Sequence, residues 1–205
     1  RISGEAMSKI KGLSQKVYKK PQDFLKALNA KSKKQYTLEE IQNVDGLVVG
    51  KEFNMQKDVI LDDTHCWLIQ IGNNVTLAPR VHILCHDAST KNDLNYTKIG
   101  TVIIGDNVFV GASAIIMPSV NIGNNVVVAA GSIVTKDIPS GNIVAGNPAR
   151  IIDSYDSYMF KMKGIMSECH LYDETYTMRL DINDEKKNIM KSQILASKDK
   201  KAFII

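Results

Sequence analysis

A six-residue repeat dominates the middle of the chain and limits the folds that it can adopt. From residue 104 the sequence divides into six consecutive hexads: IGDNVF, VGASAI, IMPSVN, IGNNVV, VAAGSI and VTKDIP. A period of six fits neither a helix of 3.6 residues per turn nor an alternating hairpin strand. It predicts short strands separated by corners, with three strands to a triangular coil. The first position of every hexad is Ile or Val, at Ile104, Val110, Ile116, Ile122, Val128 and Val134.

The same six-residue pattern appears earlier in the chain, as IGNNVT and LAPRVH, and resumes near its end as VAGNPA. β-branched residues at the first position are expected to point inward and stack from coil to coil, with a rise of about 4.8 Å. The sequence therefore predicts a mainly β domain over residues 46–152, folded as a parallel β-helix. Corners need an unusual backbone, which Gly, Asn and Asp tolerate, and such residues recur at Asn73-Asn74, Asp106-Asn107 and Asn124-Asn125.

The hexads and the ending AGNPARII, residues 145–152, resemble the hexapeptide-repeat acyltransferases. Within that family the chain is similar to maltose- and galactoside-type and capsule-modifying sugar O-acetyltransferases. The resemblance implies a left-handed β-helix, a hand that departs from the usual right-handed crossover and that the spacing alone does not supply. It also implies a homotrimer with sites between subunits, acetyl-CoA as co-substrate, direct transfer in a ternary complex, and no metal.

The repeat is interrupted after His86. The step from Ile83 to Ile104 is 21 residues, three more than three hexads need, and DASTKNDLNYTK, residues 87–98, is polar and aperiodic. This predicts a loop extruded from the coil, a place where binding and catalytic groups often lie. The resemblance puts a catalytic histidine at the start of such a loop, so His86 is the predicted general base. An imidazole, with an ordinary pKa of about 6.5, suits that role at neutral pH, and a buried structural histidine is the alternative.

Three other side chains near His86 belong to residue types that can carry chemistry. His82 closes the hexad LAPRVH and is predicted to be a coil-surface or inter-subunit residue, with a direct role as the alternative. On a strand, residues i and i+4 lie about 13 Å apart, which argues against His82 and His86 as a metal pair. Cys85 points to the opposite face from its neighbour and is predicted to pack rather than to act as a nucleophile. His65 is off the six-residue frame and receives no role.

The resemblance also assigns substrate-binding positions. In the acceptor site these are Asn54, Asp62 and Asp63; an acid there either binds the acceptor hydroxyls or orients the base, and a solvated corner is the alternative. Lys136 and Arg150 are predicted to pair with phosphate groups, with ordinary surface charge as the alternative. The backbone N–H of Ala112 is the predicted oxyanion donor. The full acetyl-CoA set is Phe109 (commonly Trp in the family), Ala112, Ala130, Thr135, Lys136 and Arg150.

Composition narrows the functional class further. The net charge is +4, but the lysines are scattered among acids without a basic stripe and interleaved aromatics, so nucleic-acid binding is not predicted. No P-loop or G-x-G-x-x-G motif is present, so nucleotide-triphosphate chemistry is not predicted. Three cysteines without C-x-x-C spacing predict reduced thiols in a cytoplasmic protein. We also expect no membrane span and no secretory signal.

The two ends of the chain are predicted to be helical: residues 1–45 as short helices and residues 153–205 as a helical extension.

The protein is predicted to be an acetyl-CoA-dependent O-acetyltransferase acting on a sugar or polysaccharide precursor. An N-acetyltransferase of an amino sugar, or an antibiotic acetyltransferase, is the alternative within enzymes. A non-catalytic trimeric β-helix scaffold is the alternative from another class. The extension carries an amphipathic face of Tyr155, Tyr158, Met159, Met162 and Met166.

Overall fold

The structure, a computed structural model, describes residues 46–205. The helices predicted over residues 1–45 lie outside that part of the chain. Short strands wind into a triangular parallel β-helix, as the hexads predict. Its strands are Val48–Val49 (β1), Asn54–Met55 (β2), Ile60–Leu61 (β3), Ile69–Ile71 (β4), Thr76–Leu77 (β5), His82–Ile83 (β6), His86–Asp87 (β7), Lys98–Ile99 (β8), Val102–Ile104 (β9), Val108–Val110 (β10), Ile115–Ile116 (β11), Val120–Ile122 (β12), Val126–Val128 (β13), Ile133–Val134 (β14), Asn142–Ala145 (β15) and Arg150–Ser154 (β16).

Three sheets form the three faces of the helix. The first has the order β1-β4-β9-β12, the second β16-β15-β13-β10-β5-β2, and the third β14-β11-β6-β3. All of their pairings are parallel except the last one, between β15 and β16. The core is a column of aliphatic side chains from the first and fifth hexad positions, each almost fully buried, such as Ile83, Ile104, Val110, Ile116 and Val128. This confirms the predicted fold class as a parallel β-helix, while the left hand remains an implication of the resemblance.

Polar corner residues hold successive coils together. Asp106 Oδ1 accepts the backbone N–H of Asn73 at 2.6 Å, and Asn124 Oδ1 accepts the N–H of Asp106 at 2.8 Å. Beside them Asn74, Asn107 and Asn125 all adopt left-handed backbone, with φ of 51°, 56° and 54°. Asn tolerates this conformation better than most residues because its short polar side chain bonds locally.

Successive coils differ in length, and the extra residues leave from one corner. Paired corner residues are 18 apart between Asp106 and Asn124, which is three hexads. The same step is 22 residues from Lys51 to Asn73 and 33 residues from Asn73 to Asp106. The surplus follows β3 in the first case and β6 in the second, and these two strands are neighbours in the third sheet. Two excursions of different length therefore stack on one edge of the β-helix.

The carboxyl end of the β-helix is closed by a change of direction. Strand β16 runs antiparallel to β15, with Ala145 opposite Arg150. Helix α2, Tyr155–Ser167, follows directly, and the Ser154 hydroxyl caps it by accepting the N–H of Ser157. The short helix α1, Lys91–Leu94, lies earlier, inside the excursion after His86.

Residues 168–205 form a small α/β unit. Strands His170–Tyr172 (β17) and Ala202–Ile204 (β18) pair in parallel, and helix α3, Asp184–Ala196, connects them. Tyr172 is buried and its hydroxyl donates to Gln193 Oε1 at 2.9 Å. The extension thus contains a two-stranded sheet in addition to the predicted helices. Within residues 46–205, no helix has both the length and the apolarity that a bilayer crossing requires.

Candidate active site

The two excursions bring distant parts of the sequence together at one corner. Asp62 follows β3 directly, and its backbone N–H donates to the carbonyl of Ile83 in the next coil at 3.0 Å. His86 follows β6 after the same corner, at the start of the longer excursion. Because β3 and β6 pair in register, with Leu61 opposite Ile83, the chain leaves both strands at the same edge, and the side chains of Asp62 and His86 meet there.

Asp62 is the buried anion of this site, with only 2% of its surface exposed. Its Oδ2 accepts the backbone N–H of Cys85 at 2.7 Å, and its Oδ1 accepts the N–H groups of Thr64 and His65 at 3.1 and 3.0 Å. Burial by itself raises the pKa of a carboxyl group, but the hydrogen bonds from Cys85, His86 and Thr64 outweigh burial and lower the pKa of Asp62 to about 2. The carboxylate is therefore ionised at neutral pH.

His86 is oriented by this carboxylate. Its Nδ1 lies 2.6 Å from Asp62 Oδ2. An ionised carboxylate can only accept, so the proton of the neutral imidazole resides on Nδ1 and the lone pair on Nε2. Within residues 46–205, Nε2 of His86 has no hydrogen-bond partner, and the side chain is about one-third exposed at 33%. The arrangement fixes one tautomer with an accessible basic nitrogen.

Thr64 and His65 complete the cluster. The Thr64 hydroxyl lies 2.9 Å from Asp62 Oδ1, 2.8 Å from His65 Nδ1 and 3.3 Å from His86 Nδ1. Asp62, His65 and His86 also offer three potential metal-donor atoms within 4.8 Å of one another. A metal at their centre would displace the Thr64 hydroxyl and the Asp62–His86 hydrogen bond, because metal–ligand distances of about 2.1 Å hold the donors further apart. The donor set fits a hydrogen-bonded network better than a metal, and the metal-free site stays a prediction.

The excursion that begins at His86 is clamped at its base. β7 and β8 pair antiparallel, with His86 opposite Ile99 and Asp87 opposite Lys98. Asp87 Oδ2 lies 2.6 Å from Lys98 Nζ, and the hydrogen bond from Lys98 holds the pKa of Asp87 well below its usual value. This ladder positions the backbone of His86, while most of the remaining loop, including α1, is exposed to solvent.

Cys85 lies behind the site. Its side chain is fully buried, and burial together with the charge of Asp62 raises the pKa of its thiol to about 12. A thiol of this kind is protonated at neutral pH, and the thiolate is the nucleophilic form. Cys85 is therefore suited to packing, in line with the sequence interpretation.

The other predicted acceptor residues are not part of the cluster. Asn54 lies on β2 in the second sheet, and its Oδ1 accepts from Gln56 Nε2 at 2.7 Å. Asp63 is exposed, immediately beyond Asp62. His82 lies on β6 with Ile60 and Ile115 as its strand partners.

The predicted acetyl-CoA residues lie at four places on the β-helix. Ala112 and Ala130 occupy the same corner of successive coils, where Gly131 N–H donates to the Ala112 carbonyl at 2.9 Å. Within the described residues, the N–H groups of Ala112 and Ala130 have no acceptor. Phe109 lies on the second sheet with 46% of its surface exposed. Thr135 and Lys136 follow β14, and Arg150 begins β16; neither cation forms an ion pair within residues 46–205.

Comparison with known proteins assigns the chain to a family. The profile of a family described as "Hexapeptide repeat of succinyl-transferase" matches residues 101–136. Protein CapG of Staphylococcus aureus is 40% identical over 124 residues, which are 58% of this chain and 67% of that protein. The chain belongs to the hexapeptide-repeat acyltransferase family. A putative acetyltransferase of Bacillus subtilis (strain 168), YvoF, is 36% identical over 56% of this chain and 64% of its own length.

The chain spans less than two thirds of several other relatives in this family. It covers 46% of a putative acetyltransferase of Dictyostelium discoideum, at 45% identity. Among solved structures, a maltose O-acetyltransferase from Clostridium difficile 630 is 42% identical over 54% of this chain and 59% of that chain, with a TM-score of 0.49.

Two side chains of this site have no role predicted from the sequence. Thr64 and His65 lie in DDTHCWLIQ, which does not follow the hexad frame. The signal that could have identified them is the 22-residue step between coils, four more than three hexads, because surplus residues must leave the β-helix at a corner. In this chain, a second break in the six-residue period, one coil before the break at His86, indicates residues that lie at the same edge of the β-helix as His86.

Proposed function

We propose that the protein transfers an acetyl group from acetyl-CoA to a hydroxyl group of a sugar or polysaccharide precursor. The observation that carries this proposal is the contact between the buried Asp62 carboxylate and His86 Nδ1, 2.6 Å long, which leaves Nε2 as an oriented base. Membership of the hexapeptide-repeat acyltransferases supports acyl transfer as the reaction class. Similarity to a maltose O-acetyltransferase agrees with a hydroxyl acceptor, but it does not carry the proposal.

In the proposed mechanism His86 Nε2 removes the proton of the acceptor hydroxyl as its oxygen attacks the thioester carbonyl carbon. A new C–O bond forms and the carbonyl electrons move onto oxygen. When the tetrahedral intermediate collapses, the C–S bond breaks and the CoA sulfur takes the proton held on His86. Asp62 stays ionised throughout and stabilises the transient imidazolium, a role for which its low pKa suits it.

The free N–H of Ala112 is the proposed donor to the oxyanion. Ala112 follows β10, which stacks on β5, whereas His86 follows β6, so the two lie at different corners of one chain. A neighbouring subunit supplying this corner would bring both groups to one substrate, which is why we propose a homotrimer with sites between subunits. Phe109 and Ala130 are proposed to flank the pantetheine arm, and Thr135, Lys136 and Arg150 its phosphates.

The test is an acceptor screen with acetyl-CoA in which release of free thiol is followed. We expect turnover with a hydroxyl-bearing sugar, and a fall in kcat of about 10²–10⁴-fold in the His86→Ala variant because the general base is lost. His170→Ala is the matched control, since His170 lies on β17 in the carboxyl-terminal unit. Turnover with amines alone would replace O-transfer by N-transfer, and unchanged kcat in His86→Ala would overturn the base assignment.

A further inference from the structure

A row of three rings extends from the proposed base towards solvent. The ring centroids of His86 and His65 are 5.5 Å apart, and those of His65 and Trp67 are 5.4 Å apart. Trp67 is the single tryptophan of the chain, yet 52% of its surface is exposed. A half-exposed indole two rings from an oriented base presents a flat apolar surface to whatever reaches that base.

The backbone and Cβ of Trp67 are packed against the protein, while its indole ring is half exposed. Trp67 lies in the 3-10 turn Cys66–Leu68, and Gly46 passes so close that a Cβ at Gly46 would lie 2.7 Å from Trp67 Cβ. The turn itself is tied to the site, because the N–H groups of Thr64 and His65 both donate to the buried Asp62 carboxylate. The carboxylate that orients His86 therefore also holds the backbone from which Trp67 extends.

Hydrogen bonding also fixes the tautomer of His65. The Thr64 hydroxyl has one proton and donates it to Asp62 Oδ1 at 2.9 Å. It can therefore only accept from His65 Nδ1, at 2.8 Å, so that Nδ1 carries the proton of His65. The remaining nitrogen, Nε2, is an acceptor without a hydrogen-bond partner in the described part of the chain.

We propose that Trp67 and His65 form the subsite that selects the acceptor, and that the acceptor is a pyranose ring. The indole of Trp67 stacks on the C–H face of the sugar, and Nε2 of His65 accepts a hydrogen bond from one of its hydroxyls. This leaves a second hydroxyl of the same ring for His86. The inference rests on the proposed function and deepens it, because an acyclic polyol or an amino acid has no flat C–H face to stack on the indole.

Intrinsic fluorescence tests the stacking directly, because emission from the only tryptophan reports on this position alone. The protein, without acetyl-CoA, is titrated with methyl glucopyranoside and methyl galactopyranoside, and with sorbitol as the acyclic comparison. We expect a saturable change in emission with a pyranoside and none with sorbitol. The same change is expected in His86→Ala, which binds the sugar without turning it over.

The sugar KM of two substitutions at Trp67 distinguishes stacking on an aromatic ring from contact with any large apolar side chain. Trp67→Phe keeps an aromatic face and is expected to hold the sugar KM within about threefold of wild type. Trp67→Leu keeps an apolar side chain without that face and is expected to raise the sugar KM about tenfold, with the acetyl-CoA KM unchanged. His65→Ala is expected to raise the sugar KM as well. Phe160→Ala is the matched control, since Phe160 is an 80% exposed aromatic on α2.

The outcomes distinguish this inference from the proposed function. If a sugar is acetylated but neither emission nor the KM of Trp67→Leu changes, the subsite is overturned and the transferase stands. If pyranosides change the emission but no hydroxyl compound is acetylated, the transferase is overturned and the sugar subsite stands. An equal response to sorbitol would contradict ring stacking.

Discussion

At the scale of single residues, the site depends on one buried charge. Asp62 accepts hydrogen bonds from three backbone N–H groups and contacts His86, so it both closes a corner and orients the imidazole of His86. The sequence predicts Asp62 as an acceptor-binding residue, with orientation of the base as the other role of an acid there. With both oxygens occupied by protein donors, Asp62 is better suited to positioning the imidazole than to contacting a substrate.

The substitution Asp62→Asn should therefore lower kcat, because it removes the negative charge and also disturbs the hydrogen bonds that orient His86. In either orientation of the amide, Nδ2 would face N–H donors, those of Cys85 and His86 on one side or those of Thr64 and His65 on the other, so the hydrogen bonds that hold the imidazole are weakened. We expect kcat to fall about 10²-fold, with the KM for acetyl-CoA unchanged. Steady-state thiol release measures this, with Asp156→Asn, an exposed acid in the first turn of α2, as the control. A kcat within threefold of wild type would contradict the orienting role.

The same substitution should have a pH-dependent effect on stability. The pKa of Asp62 is lowered from 3.8 to about 2, so the ionised carboxylate stabilises the folded state above pH about 4. That stabilisation is lost as the pH falls through about 2, where the folded state also becomes protonated. In urea unfolding, the difference in unfolding free energy between wild type and Asp62→Asn should be larger at pH 7 than at pH 3. A difference independent of pH would show that Asp62 is not ionised in the fold.

Cys85 provides a chemical probe of the same burial. With a pKa of about 12 and no exposed surface, its thiol should resist iodoacetamide in the native protein at pH 8. Cys66 and Cys169 are partly exposed and should be alkylated first. Mass spectrometry of the labelled peptides measures this, and labelling of Cys85 is expected only after unfolding in urea. Rapid native labelling of Cys85 would argue against the packed site.

At the scale of elements, close stacking of coils leaves no room for side chains at certain corners. A Cβ added at Gly111 would collide with the backbone nitrogen of Ala130 in the next coil. Gly111→Ala is therefore expected to destabilise the protein by about 1–3 kcal/mol. Gly164 lies in α2 with nothing near an added Cβ, so Gly164→Ala should stabilise the helix by up to about 1 kcal/mol. Thermal unfolding of both variants measures the contrast, and equal shifts would contradict the stacking argument.

The hexads predicted the β-helix because each strand is specified locally, by one inward β-branched residue and one polar corner. The same locality explains why the site was only partly predictable. His86 stands at a visible break in the period, whereas Thr64 and His65 become its neighbours through pairing of β3 with β6. Asp62 is buried because the turn that follows it brings the N–H groups of Thr64 and His65 onto its carboxylate. That turn does not follow the six-residue period, so the spacing of hydrophobic residues does not predict its conformation.

At the scale of the whole molecule, the proposed trimer makes activity depend on assembly. His86 and Ala112 lie at different corners of one chain, so an isolated chain would lack the proposed oxyanion donor beside the proposed base. We expect light scattering to give three times the chain mass, and specific activity to fall on dilution below the dissociation range. Full activity in a monomeric fraction would contradict shared sites.

The antiparallel strand β16 has a consequence for solubility. A stack of parallel coils is one-dimensional, and an uncovered last coil would offer its backbone groups to a coil of another molecule. β16 occupies the edge of β15 and carries charged residues of its own, Arg150 and Asp153. A chain that ends before residue 150 would expose the unpaired edge of β15. Molecules of this shortened chain would then associate end to end into fibres and leave solution, even with folded coils and an intact site.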